Sequence, residues 1–480
     1  MSSRPNVLVF LTDDHGQWAV GCYGNPAVKS PTMDFLARDG VRMDAAFTPS
    51  PVCSPARACF YTGRLPSQHG IHDWLHEPLP EIQKHPALTG QLNLGQLLQR
   101  AGYQTAQIGK WHCGTSWEPK PGFDRWFSYG EFQFPHRGPI KFSDQGRLVE
   151  ETGYQTPVIT DQAIDFLRTR DQQKPFFMFV GYVDTHTPYR DHPDRLVDQY
   201  RQHDFAEIPR ETFSSAHGFA NFGWGFPPNS PAEREARAQY YAAVSMIDAQ
   251  MGRILDELDS QGQLDNTLVI YTADHGNMCG QHGLNTKGNA TVPQNFIDDS
   301  SIRIPMLLRL PKVIPAGQTN GAIVDLMDLH QTILDVAGAV PDEATRRDIN
   351  SPGCSFWPLI TGAAPVKWRD AYFGEYGNAR CIRTATAKLI RRGPGPNGQF
   401  PDEFYDLRQD PRERTNRIAE PAAQSQIADL TRRLEEYFAR YEIPARSGWN
   451  IAGQPRTSKD MEPWYVFGKP RDSADGGGFI

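Results

Sequence analysis

The sequence predicts an α/β protein, with a mostly parallel β-sheet sandwiched by helices and a smaller C-terminal α+β domain carrying a short antiparallel sheet. Three observations carry this. Strand-like runs such as "NVLVFLT" and "PFFMFVGYV" are apolar almost without interruption, as strands buried on both faces are. Helical segments alternate with these runs, the order that a parallel sheet requires. Beyond about residue 365 the texture changes to short, alternating strand-like segments and one amphipathic helix.

In chain order, residues 6–12 open as a strand, and "PTMDFLARDG" (31–40) reads as a short helix closed by Gly40. "LNLGQLLQRAG" (92–102) is helical and feeds the strand-like "YQTAQIG". The same unit recurs twice: helix 157–170 before strand 175–183, and the long helix 231–262 before "NTLVIYT" (266–272). "AYFGEYGNARCIRTATAKLIRR" and "EFYDLRQDP" read as antiparallel strands, and 422–441 as a helix with one apolar face. The expected organisation is a catalytic domain over 1–365, a small domain over 366–446, and an extended tail over 447–480 that is rich in Gly, Pro and charge. A chain of 480 residues exceeds what one core usually fills, in keeping with two domains.

Composition excludes several classes. A net charge of -7 gives no electrostatic reason for nucleic acid or an anionic membrane as partner. Seven cysteines, odd in number and without C-x-x-C spacing, indicate neither a disulfide framework nor a zinc site. "MSSRPNVLVF" has no basic segment, long apolar run or cleavage site of a leader, so a cytoplasmic location is expected. No apolar run approaches the roughly 20 residues that span a bilayer. The 42 glycines and 39 prolines imply many loops, where substrate specificity is expected.

Ligands of open α/β sheets gather beyond the carboxyl ends of the strands. Four strands here deliver polar groups to that edge: "TDDHG" (Asp13, Asp14), "GKWHCG" (Lys110, His112), "VDTHTPY" (Asp184, His186) and "TADHGNMCGQHGLNTKG" (Asp274, His275, His282, Lys287). Each alone reads as a turn, a cap or a solvated side chain. Their convergence on one edge does not.

"CSPARACFYTGRLPSQHGI" and "GYQTAQIGKWH" match two ordered signatures, and "RPNVLVFLTDDHG", "IRIPMLLRLP" and "EFYDLRQDPRERTN" extend the match over nearly the whole chain. On these motifs the sequence resembles the type I sulfatases of the alkaline phosphatase superfamily. The resemblance implies an alkaline phosphatase-like fold and hydrolysis of aryl, alkyl or carbohydrate sulfate monoesters. It also implies that a formylglycine-generating maturation enzyme oxidises Cys53 to formylglycine, whose hydrate is the nucleophile. Asp13, Asp14, Asp274, His275 and residue 53 would hold one divalent cation. Hard carboxylates favour Ca²⁺ or Mg²⁺, and the imidazole of His275, where many members carry Asn, also admits Mn²⁺. His275 could instead stand beside the ion and hydrogen-bond Asp274.

By the same resemblance Lys110 and Lys287 bind the sulfate group, and Arg57, one helical turn beyond Cys53, positions the hydrate. His112 takes a proton from its second hydroxyl so that sulfate is eliminated, and His186 protonates the leaving alcohol. His69 and His282 match family positions without an assigned role. Segments 113–155 and 203–231 read as aromatic loops that wall the pocket or pack against a partner subunit. Two alternatives stand: a phosphonate monoester or phosphodiester hydrolase, whose members replace the second aspartate of the "DD" pair, and a non-catalytic anion-binding homologue. The partners expected are thus a small-molecule or saccharide sulfate ester and the maturation enzyme, with a homo-oligomer compatible with both.

Overall fold

In β1 (Asn6–Thr12) every residue is buried, and successive side chains enter opposite cores: Leu8 and Phe10 one, Val7, Val9 and Leu11 the other. The computed structural model describes residues 4–76, 85–129, 136–208, 230–283, 287, 297–362, 367–393, 401–455 and 457. Its further strands are β2 (Val41–Met43), β3 (Ala46–Phe47), β4 (Gln104–Lys110), β5 (Arg125–Tyr129), β6 (Ile140–Asp144), β7 (Arg147–Glu151), β8 (Phe176–Gly181), β9 (Thr267–Ala273), β10 (Met306–Arg309), β11 (Gln318–Asn320) and β12 (Val324–Asp325). Ten of them form one sheet in the order β11-β2-β10-β9-β1-β8-β4-β5-β6-β7. The central five, β9 to β5, run parallel, while β10 and the β5-β6-β7 meander pair antiparallel towards the edges. β3 and β12 make a separate parallel pair.

Both faces are covered. Helices Pro31–Arg38, Gln155–Thr169 and Pro231–Ser260 bury their apolar residues against one core. Helices Cys53–Thr62, Leu94–Arg100 and Leu326–Val336 pack into the other. This is the α/β sandwich that the alternation of apolar strands and helices predicts. Gly109 on β4 faces Gly181 on β8, and a Cβ at 109 would stand 2.1 Å from the Gly181 carbonyl oxygen, so only glycine permits this close pairing beside Lys110.

Beyond residue 370, β13 (Ala371–Tyr376), β14 (Ala379–Thr384), β15 (Ala387–Arg392) and β16 (Glu403–Asp406) form an antiparallel sheet in sequence order. Helix Gln424–Tyr441 lays Ile427, Leu430, Leu434 and Phe438 onto it, four residues at helical spacing that make one stripe.

Two expectations need correction. Segment 113–155 is not merely loop: it contains β5, β6 and β7, which extend the large sheet. β6 and β7 meet through Gln145 and Gly146, both at positive φ, a hairpin turn whose glycine signal stands in a polar setting. The tail is not an extended arm from its start, because Gly448–Gly453 forms short 3-10 turns, kinked at Asn450, that bury Ile451 under the small sheet. Its Trp449 stacks beneath the Arg380 guanidinium, 4.9 Å from the ring centre. Residues 130–135 and 209–229, and the tail beyond 457, lie outside the described residues.

Candidate active site

Parallel pairing in the order β9-β1-β8-β4 brings the carboxyl ends of these strands to one edge, and Asp13, Asp14, Asp274, His275 and Lys110 follow or close β1, β9 and β4. Opposite them, Cys53 is the first residue of helix Cys53–Thr62. Pro55 sits in that first turn, where its missing N–H has no intrahelical partner to lose. Arg57, four residues on, projects from the same face. Asp14, His112 and Thr185 adopt φ of 54°, 58° and 80°, a left-handed conformation that costs free energy and that clusters at functional sites.

Asp13, Asp14, Cys53 and His275, all buried, each offer a ligand atom within 4.8 Å of the others. His275 Nε2 lies 3.0 Å from Asp14 Oδ1 and 3.2 Å from Cys53 Sγ. Its Nδ1 faces the Gly276 carbonyl at 2.9 Å, which must accept, so Nδ1 carries a proton and Nε2 is the ring atom turned to the cluster. Lys110 Nζ donates to Asp13 Oδ2, and Lys287 Nζ donates to Asp14 Oδ1 at 2.8 Å and lies 3.1 Å from Cys53 Sγ. Arg57 donates through Nε to Asp274 Oδ2 at 2.8 Å and through Nη1 to the Lys110 carbonyl at 2.9 Å.

Asp274 stands slightly apart from the other predicted ligands. Its Oδ1 already accepts the backbone N–H groups of His275 at 2.9 Å and Asp14 at 3.3 Å, so Oδ2 has the one spare lone pair. By contrast Asp13 Oδ1 and Asp14 Oδ2 are buried without any hydrogen-bond partner. Two bare anionic oxygens in a water-excluded site call for a cation, and a cluster of carboxylate and imidazole donors fits a divalent ion.

Electrostatics follow from crowding. Burial alone would raise Asp13, but Lys110 and His186 hold its carboxyl well below the ordinary range. Burial alone would lower Lys287 and His275, yet Asp14 lifts the ammonium and Asp274 with Asp14 lifts the imidazole well above their usual values. Burial, with Asp13, pushes the Cys53 thiol up, so an unmodified Cys53 stays protonated. His112 places Nε2 on the Leu75 carbonyl at 3.2 Å, leaving Nδ1 as the basic nitrogen, and burial with Lys110 holds it well below its usual value. His186 is half-buried, with Nδ1 2.7 Å from the Thr187 carbonyl, and burial and Lys287 hold it down at about 4.

All ten predicted site residues thus fall on this edge, on the loops bordering it, or, for Cys53 and Arg57, on the helix Cys53–Thr62 opposite. His69 serves locally, accepting the Ile71 N–H at 3.1 Å. Two supports went unread in the sequence. Tyr240, on the long helix, donates to the Asp14 carbonyl at 3.0 Å and accepts the Gly16 N–H, and Thr185 donates its hydroxyl to the Asp13 carbonyl. No local pattern marks a tyrosine on a buried helix face as a support for a loop more than two hundred residues away.

A parallel-centred sheet with such an edge defines a hydrolase of the alkaline phosphatase superfamily. The family model described as Sulfatase matches residues 5–339, so the chain belongs to the sulfatase family, and residues 290–440 match the model described as N-sulphoglucosamine sulphohydrolase, C-terminal. The N-acetylglucosamine-6-O-sulfatase of Bacteroides thetaiotaomicron is 29% identical, covering 92% of this chain and 87% of its own. The structure of BT4656 in complex with its substrate D-glucosamine-2-N,6-O-disulfate superimposes with a TM-score of 0.72 at 27% identity, covering 92% of this chain and 98% of that one. The phosphonate monoester hydrolase of Agrobacterium radiobacter shares the fold, with a TM-score of 0.73 at 22% identity over 91% of this chain and 96% of that one.

Proposed function

We propose that the protein hydrolyses sulfate monoesters, carbohydrate sulfates foremost, with residue 53 acting as formylglycine beside one divalent cation. The observation that carries this is the pair of partnerless buried oxygens, Asp13 Oδ1 and Asp14 Oδ2, next to Cys53 and flanked by two lysines. The carbohydrate preference rests on relatives named for N-acetylhexosamine 6-sulfates.

Asp13, Asp14, His275 and residue 53, with Asp274 Oδ2 alongside, would hold the cation, calcium in the first place. Bound there, it would supply Lewis-acid charge against the ester's anionic oxygens. Formylglycine at position 53 would supply a hydrated aldehyde as nucleophile.

The remaining work falls to this chain's own side chains. Lys110 and Lys287 each carry three N–H donors and spend one on Asp13 or Asp14, so further donors serve the sulfate oxygens. A phosphodiester or phosphonate presents a carbon-bearing substituent where one of those oxygens belongs, which leaves a lysine donor unmet. Arg57 fixes Asp274 and the end of β4, and so the placement of residue 53 on its own helix. His112, neutral with Nδ1 basic, accepts the proton from the hydroxyl at position 53. His186 stands neutral in the free protein, and an anionic ester oxygen brought against the ring favours its protonated form, so that substrate binding equips it as the acid for the leaving group.

Two measurements test the reading. Peptide mass spectrometry of protein made with an active maturation enzyme should show the sulfur of residue 53 replaced by oxygen; uniformly unmodified cysteine sinks the formylglycine assignment. A panel of N-acetylglucosamine 6-sulfate, 4-nitrophenyl sulfate, a phosphodiester and a phosphonate monoester should give the sulfates the larger kcat/KM, and the reverse order overturns it.

A further inference from the structure

A second group of metal-ligating side chains lies at the root of the loop that carries His186. His136 precedes β6, Asp184 follows β8, and His192 precedes the turn into Asp194–Val197; they are 3%, 0% and 5% exposed. One ligand atom from each falls within 4.8 Å of the other two. His136 Nδ1 is 2.7 Å and His192 Nε2 is 3.4 Å from the same oxygen, Asp184 Oδ1.

The outward atoms of these residues decide what the inward ones carry. His136 Nε2 faces the Pro188 carbonyl at 2.9 Å, which can only accept, so its proton sits on Nε2. His192 Nδ1 faces Gln239 Oε1 at 3.0 Å, an atom that also accepts the His192 backbone N–H. The Gln239 amide is oriented by its own Nε2 donating to Glu235 at 2.9 Å, so the His192 proton sits on Nδ1. Asp184 Oδ2 accepts the Thr156 hydroxyl, which leaves Oδ1 to the interior. Two inner ring nitrogens and one carboxylate oxygen therefore converge, with each ring nitrogen facing away held by a carbonyl, the outer arrangement that metal-ligating histidines show. Burial alone would lower the His136 imidazole, but Asp184 raises it above its usual value, so a divalent ion binding there would displace a proton. Asp184 Oδ1 meets His136 Nδ1 closely but off the hydrogen-bond direction, and His192 Nε2 is buried with no partner in hydrogen-bond geometry.

We propose that His136, Asp184 and His192 form a second divalent-cation site, taking a borderline transition-metal ion, zinc in the first place. Two imidazoles with one carboxylate suit zinc, unlike the carboxylate-rich catalytic cluster, which suits calcium. Tetrahedral coordination asks the 2.7 Å contact to open by about half an ångström and leaves the 3.4 Å one in place. The ion ties the segment before β6 to both ends of the 184–192 loop. It is a clamp on the element that presents His186, with no part in bond cleavage.

The test uses the full chain in a Cys53→Ser, His275→Ala background, which removes the soft donors of the catalytic cluster. After equilibration with zinc and dialysis into metal-free buffer, elemental analysis should find one zinc per chain, and cobalt substitution should give a ligand-field absorption band. Adding His192→Gln should abolish both. Absence of zinc in the background protein, or zinc retained after His192→Gln, overturns the proposal. Should that variant not fold, thermal unfolding of the background protein decides: zinc should raise its Tm, and an unchanged Tm overturns the site equally.

Discussion

Two buried charge clusters in this molecule are built from the same residue types and end differently. Where the small sheet meets the main body, Asp299 accepts Arg383 Nε at 2.9 Å and Lys388 at 3.2 Å, Lys388 donates to Glu413 at 2.7 Å, and Glu413 accepts the Asp299 backbone N–H at 3.0 Å. None of these four side chains has a polar atom without a partner. At the catalytic edge Asp13 and Asp14 also meet lysines, yet each retains a bare oxygen, and Arg57 retains a bare Nη2. The saturated network joins two parts of the fold. The unsaturated one holds charge in readiness for something that is not the protein.

That contrast breaks most sharply on Asp13. Asp13→Ala should lower turnover by roughly 10³-fold or more, as removal of preorganised charge at a reacting centre does, and should abolish the bound divalent ion. Full metal occupancy in this variant would place the ion elsewhere. Because Lys110 loses its buried partner, stability should fall as well, so turnover is read per folded molecule.

The saturated cluster should respond in the opposite sense. Lys388→Met leaves Asp299 and Glu413 buried without their shared cation, and the expected loss is about 3–5 kcal/mol of stability, read by denaturant unfolding. Activity per folded molecule should stay near that of the parent. A loss of kcat with unchanged stability would dissolve the distinction between the two clusters.

His186→Ala sharpens the catalytic side. If the ring protonates the leaving group, the variant should lose roughly 10²-fold on alkyl and sugar sulfates and little on 4-nitrophenyl sulfate, whose leaving group scarcely needs a proton. Equal losses on both would remove His186 from that role.

The smallest effect comes from a buried titratable group in neither cluster. His330 places Nδ1 on the Phe60 carbonyl at 2.9 Å, and burial lowers its imidazole from 6.5 to about 4. The native state therefore binds fewer protons than the unfolded chain between those values. Its contribution is complete above pH 6.5 and is lost as pH falls towards 4, with a slope of at most about 1.4 kcal/mol per pH unit. His330→Leu should flatten the acid limb of the stability profile by up to that slope, and an unchanged limb would show that the ring titrates normally.

Much of this was legible without coordinates, for identifiable reasons. β1, β8 and β9 are continuous apolar runs, so they could be placed as buried parallel strands, and the carboxyl-end rule then located Asp13, Asp14, Asp274 and His275. Helix Gln424–Tyr441 was legible because its four buried residues recur at helical spacing. β5 to β7 were not, because β7 (Arg147–Glu151) is edge sequence with little apolar content, and an edge strand draws its order from a neighbour rather than from its own residues. Ile451 and Trp449 are two apolar residues in a polar tail, whose burial depends on a sheet eighty residues earlier.

The sequence by itself determined the fold class, the order of elements, and which residue types reach the active edge, since strand periodicity and the order of motifs are properties of the chain. Only the tertiary structure decided which of those charges are spent and which are open. Asp274 and Asp14 look equivalent in "TADHG" and "TDDHG", yet one gives three of its four lone pairs to Arg57 and two backbone amides while the other keeps an oxygen bare. It likewise decided that His136, Asp184 and His192 meet, although up to fifty-six residues separate them in the chain. Satisfaction of a polar atom depends on what folding brings within about 3 Å of it, and local pattern does not encode that distance.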